Sequence, residues 1–202
     1  WLIAPGADPE PDDQLRLRVR NQFSAVNQWH TDAVYRAMIS DFPGVRPDGV
    51  YFLHGAPRGP GSANAYVLFE ADVPAATYLE QINAHIRDQG NHGHGDDLLV
   101  MVMPETQHAL RLTLWPRALL GAEQRAKLQA DVDQFIRAAF RESGTGDYQP
   151  TLTYPQSRFS FSRLGEELHQ QFAGIESLHF DNADIVSELS IPRIQSLQVV
   201  FA

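Results

Sequence analysis

The 202-residue chain contains no cysteine, which excludes thiolate nucleophiles, thiolate zinc sites, iron–sulfur clusters and disulfide bonds. Lysine is nearly absent as well, because Lys127 is the single lysine among the 16 basic residues and the arginines are dispersed. Together with a formal net charge of −9, this excludes a phosphate-neutralising surface, so nucleic acid is not expected as a partner. No apolar run reaches the roughly 20 residues that a membrane-spanning helix requires. The sequence therefore predicts no membrane insertion within this chain.

Motifs for catalysis are equally scarce. No G-x-S-x-G nucleophile elbow occurs, and the glycine-rich residues 55–62 are not followed by the lysine and helix that a phosphate-binding loop needs. The acidic pairs Asp12-Asp13 and Glu166-Glu167 are adjacent in sequence, so their side chains point apart on a helix or strand and cannot share a proton. The sequence predicts no catalytic residue, no cofactor-binding residue, no metal ligand and no cofactor.

One loop concentrates side chains that can bind metals. His92, His94, Asp96 and Asp97 follow one another between a predicted helix and a predicted strand, and they carry the donor atoms that a divalent cation accepts. A zinc site usually takes a further ligand from a separate rigid element, and none is apparent in the sequence. A solvated connecting loop is therefore the favoured interpretation, and a metal-assisted hydrolase using residues 92–97 is the alternative.

The apolar pattern indicates an α+β fold. Apolar residues recur at helical spacing between Thr31 and Pro43 and over residues 75–88, 122–141 and 164–172. Alternating or continuous apolar runs predict strands, with residues 98–103 as a central strand that forms a hairpin with 108–115. We expect a two-layer domain with a mostly antiparallel sheet packed against amphipathic helices. The predicted strands are residues 15–20, 50–53, 65–69, 98–103, 108–115 and a closing strand over 194–201.

The domain organisation is expected to be simple. Residues 1–14 are acidic and rich in proline, which predicts an extended N-terminal segment, and residues 15–202 form a single α+β domain. Residues 1–3 are apolar, which fits either the end of a membrane anchor lying ahead of Trp1 or a trimmed terminus. The absence of cysteine fits a cytosolic or an oxidising compartment equally.

Four aromatic residues stand close together in a proline-punctuated stretch, namely Tyr148, Tyr154, Phe159 and Phe161. Exposed tyrosine and phenylalanine side chains bring large contact area at low entropic cost, so the stretch could form a protein-binding patch. Packing back over the domain as a covering strap is the favoured interpretation.

Two parts of the chain resemble adaptor proteins for type VI secretion lipases. Residues 15–20, leading to residues 33–38, resemble the start of that domain, and residues 146–155 resemble its Gly-Asp-aromatic-x-Pro segment. The resemblance implies a non-enzymatic domain that holds a secreted effector or its immunity partner. It implies no particular functional residues.

A second stretch, from Leu98 to Tyr148, resembles the periplasmic TPM domain, some members of which are phosphatases. This resemblance implies the enzymatic alternative, a metal-assisted periplasmic hydrolase. The preferred hypothesis is a bacterial protein-interaction domain, periplasmic or anchored to the inner membrane, whose partner is an effector or immunity protein.

Overall fold

The structure is a computed structural model that describes residues 11–25, 30–69, 75–117, 120–142 and 148–202. These residues form two compact units that divide between Met103 and Pro104. The predicted α+β class is confirmed. The helices are α1 (Asp12–Ala25), α2 (Asp32–Ser40), α3 (Ala76–Asn83, continued by a π-helical turn over Ala84–Asp88), α4 (Ala122–Ala139) and α5 (Phe161–Gln171). The strands are β1 (Val45–Leu53), β2 (Ser62–Phe69), β3 (Asp97–Val102), β4 (Glu105–Pro116), β5 (Arg158–Phe159), β6 (Ile175–Phe180), β7 (Ile185–Val186) and β8 (Ile191–Phe201).

The first unit is built on a three-stranded sheet with β2 in the centre. Strand β1 pairs with β2 antiparallel and β3 pairs with it parallel. Ile39 of α2 and Ile82 of α3 pack with Val67 of β2 in one fully buried cluster. The apolar stripes of the two helices thus supply the layer that the sheet needs to bury its own apolar face.

A buried asparagine replaces a neighbouring strand along the outer edge of β3. The side-chain oxygen of Asn83 accepts the N–H of Val100 at 2.8 Å, and its amide nitrogen donates to the carbonyl of Val100 at 2.9 Å. The same nitrogen lies 2.9 Å from the carbonyl oxygen of Leu79. The side chain therefore satisfies two backbone groups that an edge strand would otherwise bury unpaired.

The second unit is organised around β4, which lies between an antiparallel β6 and a parallel β8. Leu110, Leu112 and Leu114 alternate along β4 and are buried in one cluster. Helices α4 and α5 supply the other side of this cluster, with Leu128, Val132, Phe135, Ile136, Leu164 and Leu168. The two-residue strands β5 and β7 form a separate antiparallel pair. The strand predicted over residues 108–115 is confirmed, and its three leucines form the buried face.

The strand predicted over residues 15–20 is wrong, because these residues lie inside α1. In a helix, alternate residues lie on opposite sides, and Leu15 and Val19 are accordingly exposed while Leu17 between them is half-buried. Leucine and arginine are good helix formers, so local propensity favours the helix. Asp12 and Asp13 occupy the first turn, where negative charge is favoured by the helix dipole. Residues 12–14 of the predicted extended segment are therefore helical, and residues 1–10 lie outside the described residues.

The hairpin between residues 98–103 and 108–115 is also wrong. Strand β3 pairs with β2, whereas β4 pairs with β6 and β8 in a different sheet. Strand β3 is an edge strand rather than a central one, and it buries Leu98 and Val100 while Leu99 and Met101 between them are only half-buried. The helices predicted over 75–88 and 122–141 and the closing strand at β8 are confirmed. The single domain over residues 15–202 stays a prediction.

We expect Asn83→Ala to lower the free energy of unfolding by about 2–4 kcal/mol, because it leaves buried backbone groups of Val100 without partners. Urea denaturation measures the difference. Gln81→Ala is the matched control, since Gln81 is an exposed amide on the same helix, and it should change stability by less than about 0.5 kcal/mol. Equal losses in the two variants would contradict the role given to Asn83.

Candidate functional site

The loop over residues 92–97, which carries the predicted metal ligands, is bound to helix α2 through one tyrosine. The hydroxyl of Tyr35 donates to Oδ2 of Asp96 at 2.9 Å and accepts the N–H of Gly93 at 3.1 Å. A Cβ atom at Gly93 would overlap Oδ2 of Asp96, so any side chain at this position would displace that carboxylate. Asp96 is therefore already engaged as a structural acceptor.

The next carboxylate of the loop is held by an arginine. Nη1 of Arg58 lies 2.5 Å from Oδ2 of Asp97, and Nη2 donates to the carbonyl of Asp97 at 2.7 Å. Nε of Arg58 donates to Oδ1 of Asn64 at 2.9 Å. One guanidinium thus joins the loop before β2 to the start of β3, using the planar fork that makes arginine suited to such contacts.

The two histidines of the loop do not complete a metal site with these acids. Nδ1 of His92 lies 2.8 Å from the carbonyl oxygen of Gly93, and His94 is exposed. Within the described ranges, no group of three or more histidine, aspartate or glutamate side chains is placed to hold a metal ion. Residues 92–97 lead from the π-helical turn after α3 into β3, and their interpretation as a solvated loop stays a prediction.

A pocket of about 180 Å³ lies under this loop and is lined in part by Asp32, Tyr35, His54 and Asp96. Nε2 of His54 lies 2.9 Å from Oδ2 of Asp32. Burial, which is the largest effect, and the neighbouring Asp96 raise the pKa of Tyr35 to about 12, although its hydrogen bond from Gly93 acts in the opposite direction. At neutral pH Tyr35 is therefore protonated and acts as a hydrogen-bond donor to Asp96.

Sequence reasoning missed the partners of these acids. Asp32 and His54 are 22 residues apart, and Arg58 and Asp97 are 39 residues apart. No short motif links residues at such separations. The pairing of β2 with β3, which sets Ser62 against Asp97, brings the second pair together.

The aromatic stretch packs back on the second unit, as the favoured interpretation predicted. Phe159 and Phe161 are buried in the core, and the ring of Tyr148 lies 5.5 Å from that of Phe135 and 5.8 Å from that of Phe172. Tyr154 differs, because 45% of it is exposed and the guanidinium of Arg141 stands 4.4 Å from its ring centre. The glycine and aspartate of the proposed Gly-Asp-aromatic motif, at 146 and 147, lie outside the described residues.

One face of the β6–β4–β8 sheet carries exposed side chains. Arg111 and Trp115 alternate with the buried leucines of β4, and Trp115 is 41% exposed. Register places His179 of β6 beside Thr113, and Asp181 follows with its carboxylate 3.4 Å from Nε of Arg111 and 3.5 Å from Nε2 of His179. We call the side chains of Arg111, Trp115 and His179 the open sheet face. Tryptophan and arginine are the residues most enriched where proteins bind one another.

Comparison with known proteins adds one relative. No family model matches the sequence. Over 183 residues, which are 86% of this chain, the sequence is 40% identical to a protein of Haemophilus phage HP1 (strain HP1c1) named "Putative baseplate protein gp29". The match includes 46% of that protein, so the chain spans about half the length of the curated relative that it matches.

This similarity overturns the expectations that came from short resemblances. A match over 183 residues to a phage protein contradicts the assignment to the adaptors of type VI secretion lipases, and with it the effector or immunity partner. The alternative of a metal-assisted periplasmic hydrolase is wrong on the same ground, as is the periplasmic or inner-membrane location. The six alternating residues that began the adaptor resemblance belong to a helix and not to a strand.

Among the helices of the described residues, none has the length and apolar content needed to cross a membrane.

We expect Tyr35→Phe to lower the free energy of unfolding by about 1–3 kcal/mol at neutral pH, because Asp96 and the N–H of Gly93 lose their partner. The pKa of Tyr35 is raised on folding, so its contribution is fully present below pH 10.0 and is lost as the pH rises through about 12. Urea denaturation of both proteins across this range measures the difference.

Tyr66→Phe is the control for this substitution, because the hydroxyl of Tyr66 makes only a 3.5 Å contact with Asn64. Its effect should be smaller at neutral pH. A Tyr35→Phe effect that stayed constant from neutral pH to above pH 12 would contradict the assignment.

Proposed function

We propose that this chain is a structural component of a phage tail baseplate, in which it contacts other proteins of the tail. The observation that carries the proposal is the 40% identity over 86% of the chain to a phage protein named as a baseplate component. Because the chain matches about half of that relative, the proposal concerns the part of a baseplate protein that these residues form.

The geometry supports a structural role in two ways. In the first unit, Tyr35 and Arg58 bind the acidic side chains of the 92–97 loop, so these side chains stabilise the fold. In the second unit, the open sheet face presents Trp115 and Arg111 to the surroundings. A surface of this composition, carried on a rigid sheet, suits the docking of another protein.

The net charge of −9 also bears on the partner. A strongly acidic chain repels nucleic acid, and it associates fastest with surfaces that carry positive charge. We therefore expect the contacts of this component to be with other tail proteins, and those with basic surfaces to associate most rapidly.

The decisive experiment uses the phage that encodes this chain. Tails purified from lysates should contain the chain in a fixed stoichiometry by mass spectrometry, and antibodies against it should bind at the baseplate end in electron micrographs. An amber mutation in the gene should stop assembly of baseplates. Tails that are complete and infectious without the chain would overturn the proposal.

We expect Trp115→Ala to weaken incorporation into baseplates by roughly thirtyfold, the effect typical of removing a central interface tryptophan. Because more than half of the side chain is covered by neighbours, the substitution should also lower the free energy of unfolding by about 1–3 kcal/mol. Complementation of the amber mutant measures incorporation.

Tyr154→Ala is the matched control, since Tyr154 is an equally exposed aromatic residue of the same unit that is not part of the open sheet face. It should leave incorporation unchanged. Equal incorporation of the two variants would remove the open sheet face from the interface.

A further inference from the structure

A groove lies between helix α5 and strand β6 of the second unit. Its volume is about 730 Å³, and its walls include Gly165 and His169 of the helix and Leu178 and Phe180 of the strand. A Cβ atom at Gly165 would lie 3.0 Å from Cδ1 of Leu178, so the glycine lets the helix lie close to β6. The groove follows the outer edge of the sheet, since β6 is one of its two edge strands.

The backbone of β6 is unpaired along this groove. The N–H of Asp181 donates to the carbonyl of Arg111, and the N–H of Ala202 donates to the carbonyl of Leu114. The backbone N–H and C=O groups of odd-numbered residues of β4 therefore bond to β6, and those of even-numbered residues bond to β8. By the same alternation, the N–H and C=O groups of Leu178 and Phe180 point away from β4. Among the described residues, β4 is the only strand that pairs with β6.

An unpaired edge of this kind is a template for a further strand. An extended segment placed in the groove would gain main-chain hydrogen bonds to Leu178 and Phe180, while α5 would contact every second side chain of the segment. These bonds would be partly shielded from water by the wall that α5 provides.

The charge of the groove determines which segment fits. Glu166 and Asp184 line it, and no lysine or arginine is among its lining residues. Asp184 is bonded to Arg158 at 2.8 Å, whereas Glu166 contacts the neutral side chain of Gln170 at 3.2 Å. Glu176, exposed on β6, adds a further negative charge at the same edge. The excess of negative charge favours an occupant that carries lysine or arginine.

We propose that β6 accepts, as a fourth strand of the β6–β4–β8 sheet, an extended segment of a partner protein in which apolar residues alternate with lysine or arginine. The source of that segment, another protein of the baseplate, rests on the proposed function. A second copy of this chain is disfavoured, because two-fold pairing of β6 edges would place both α5 helices on one face and bring Glu166 and Glu176 toward their own copies.

Hydrogen exchange of the full chain tests the proposal with two capped synthetic peptides. Both alternate valine with a charged residue, which is lysine in one peptide and glutamate in the other. The lysine peptide should slow exchange of the Leu178 and Phe180 amides by at least about tenfold, and the His179 amide, already bonded to β4, should change little. The glutamate peptide should leave all three unchanged.

Two substitutions separate charge from strand addition. Glu166→Lys should weaken the lysine peptide by about three- to tenfold, and Glu80→Lys, at an exposed glutamate of α3, should leave it unchanged. Leu178→Pro removes an outward N–H and no hydrogen bond of the ladder to β4, and it should weaken the lysine peptide while the far-ultraviolet circular dichroism of the fold is retained.

Three results would overturn the proposal. The first is equal protection of the Leu178 and Phe180 amides by both peptides, and the second is protection confined to other residues. The third is protection of these amides without peptide that rises with protein concentration, together with a dimer in sedimentation. The last result would identify a second copy as the occupant. None of these results would change the outcome of the tail-incorporation experiment. If the chain were absent from tails, the proposed function would fail, but the peptide result would still hold.

Discussion

Strand β4 buries its side chains on one face only, and the arrangement of the second unit depends on this. Leu110, Leu112 and Leu114 are buried among residues of α4 and α5, and each contributes about 2–3 kcal/mol of transfer free energy. Because side chains alternate along a strand, burying these leucines forces Arg111 and Trp115 to the other face. The surface that we assign to assembly is therefore a direct consequence of the packing that stabilises the unit.

Polar residues in the first unit act mainly on backbone and loop groups of the chain itself. Asn83 supplies the hydrogen bonds that a neighbouring strand would give to β3, and Tyr35 binds both the carboxylate and an N–H of the 92–97 loop. Arg58 joins that loop to the segment before β2. The two aspartates of the loop that suggested metal binding in the sequence are thus bonded to α2 and to a loop arginine.

The sequence predicted elements well where a long periodic pattern had one interpretation. The stripe from Leu128 to Phe140 could only be a helix, and the alternation over residues 108–115 could only be a strand with one buried face. The strict alternation over residues 15–20 predicted a strand, but these residues form a helix that contacts α2. Strand pairing was least predictable, because the partners of β4 lie 59 or more residues further along the chain. Function followed the same rule, since the short resemblances gave assignments that a match over 183 residues contradicts.

The parallel pairing of β4 with β8 has a consequence for how the protein is made. It joins Glu105 to Ile191 and continues to Phe201, so the central strand of this sheet lacks one neighbour until the ribosome has added nearly the last of these residues. The sheet of the first unit is complete in sequence at Val102, and it can form while the remainder is still being translated. Until β6 and β8 have been synthesised, the leucine face of β4 and both of its edges lack their partners. We therefore expect the nascent second unit to depend more on chaperones than the first.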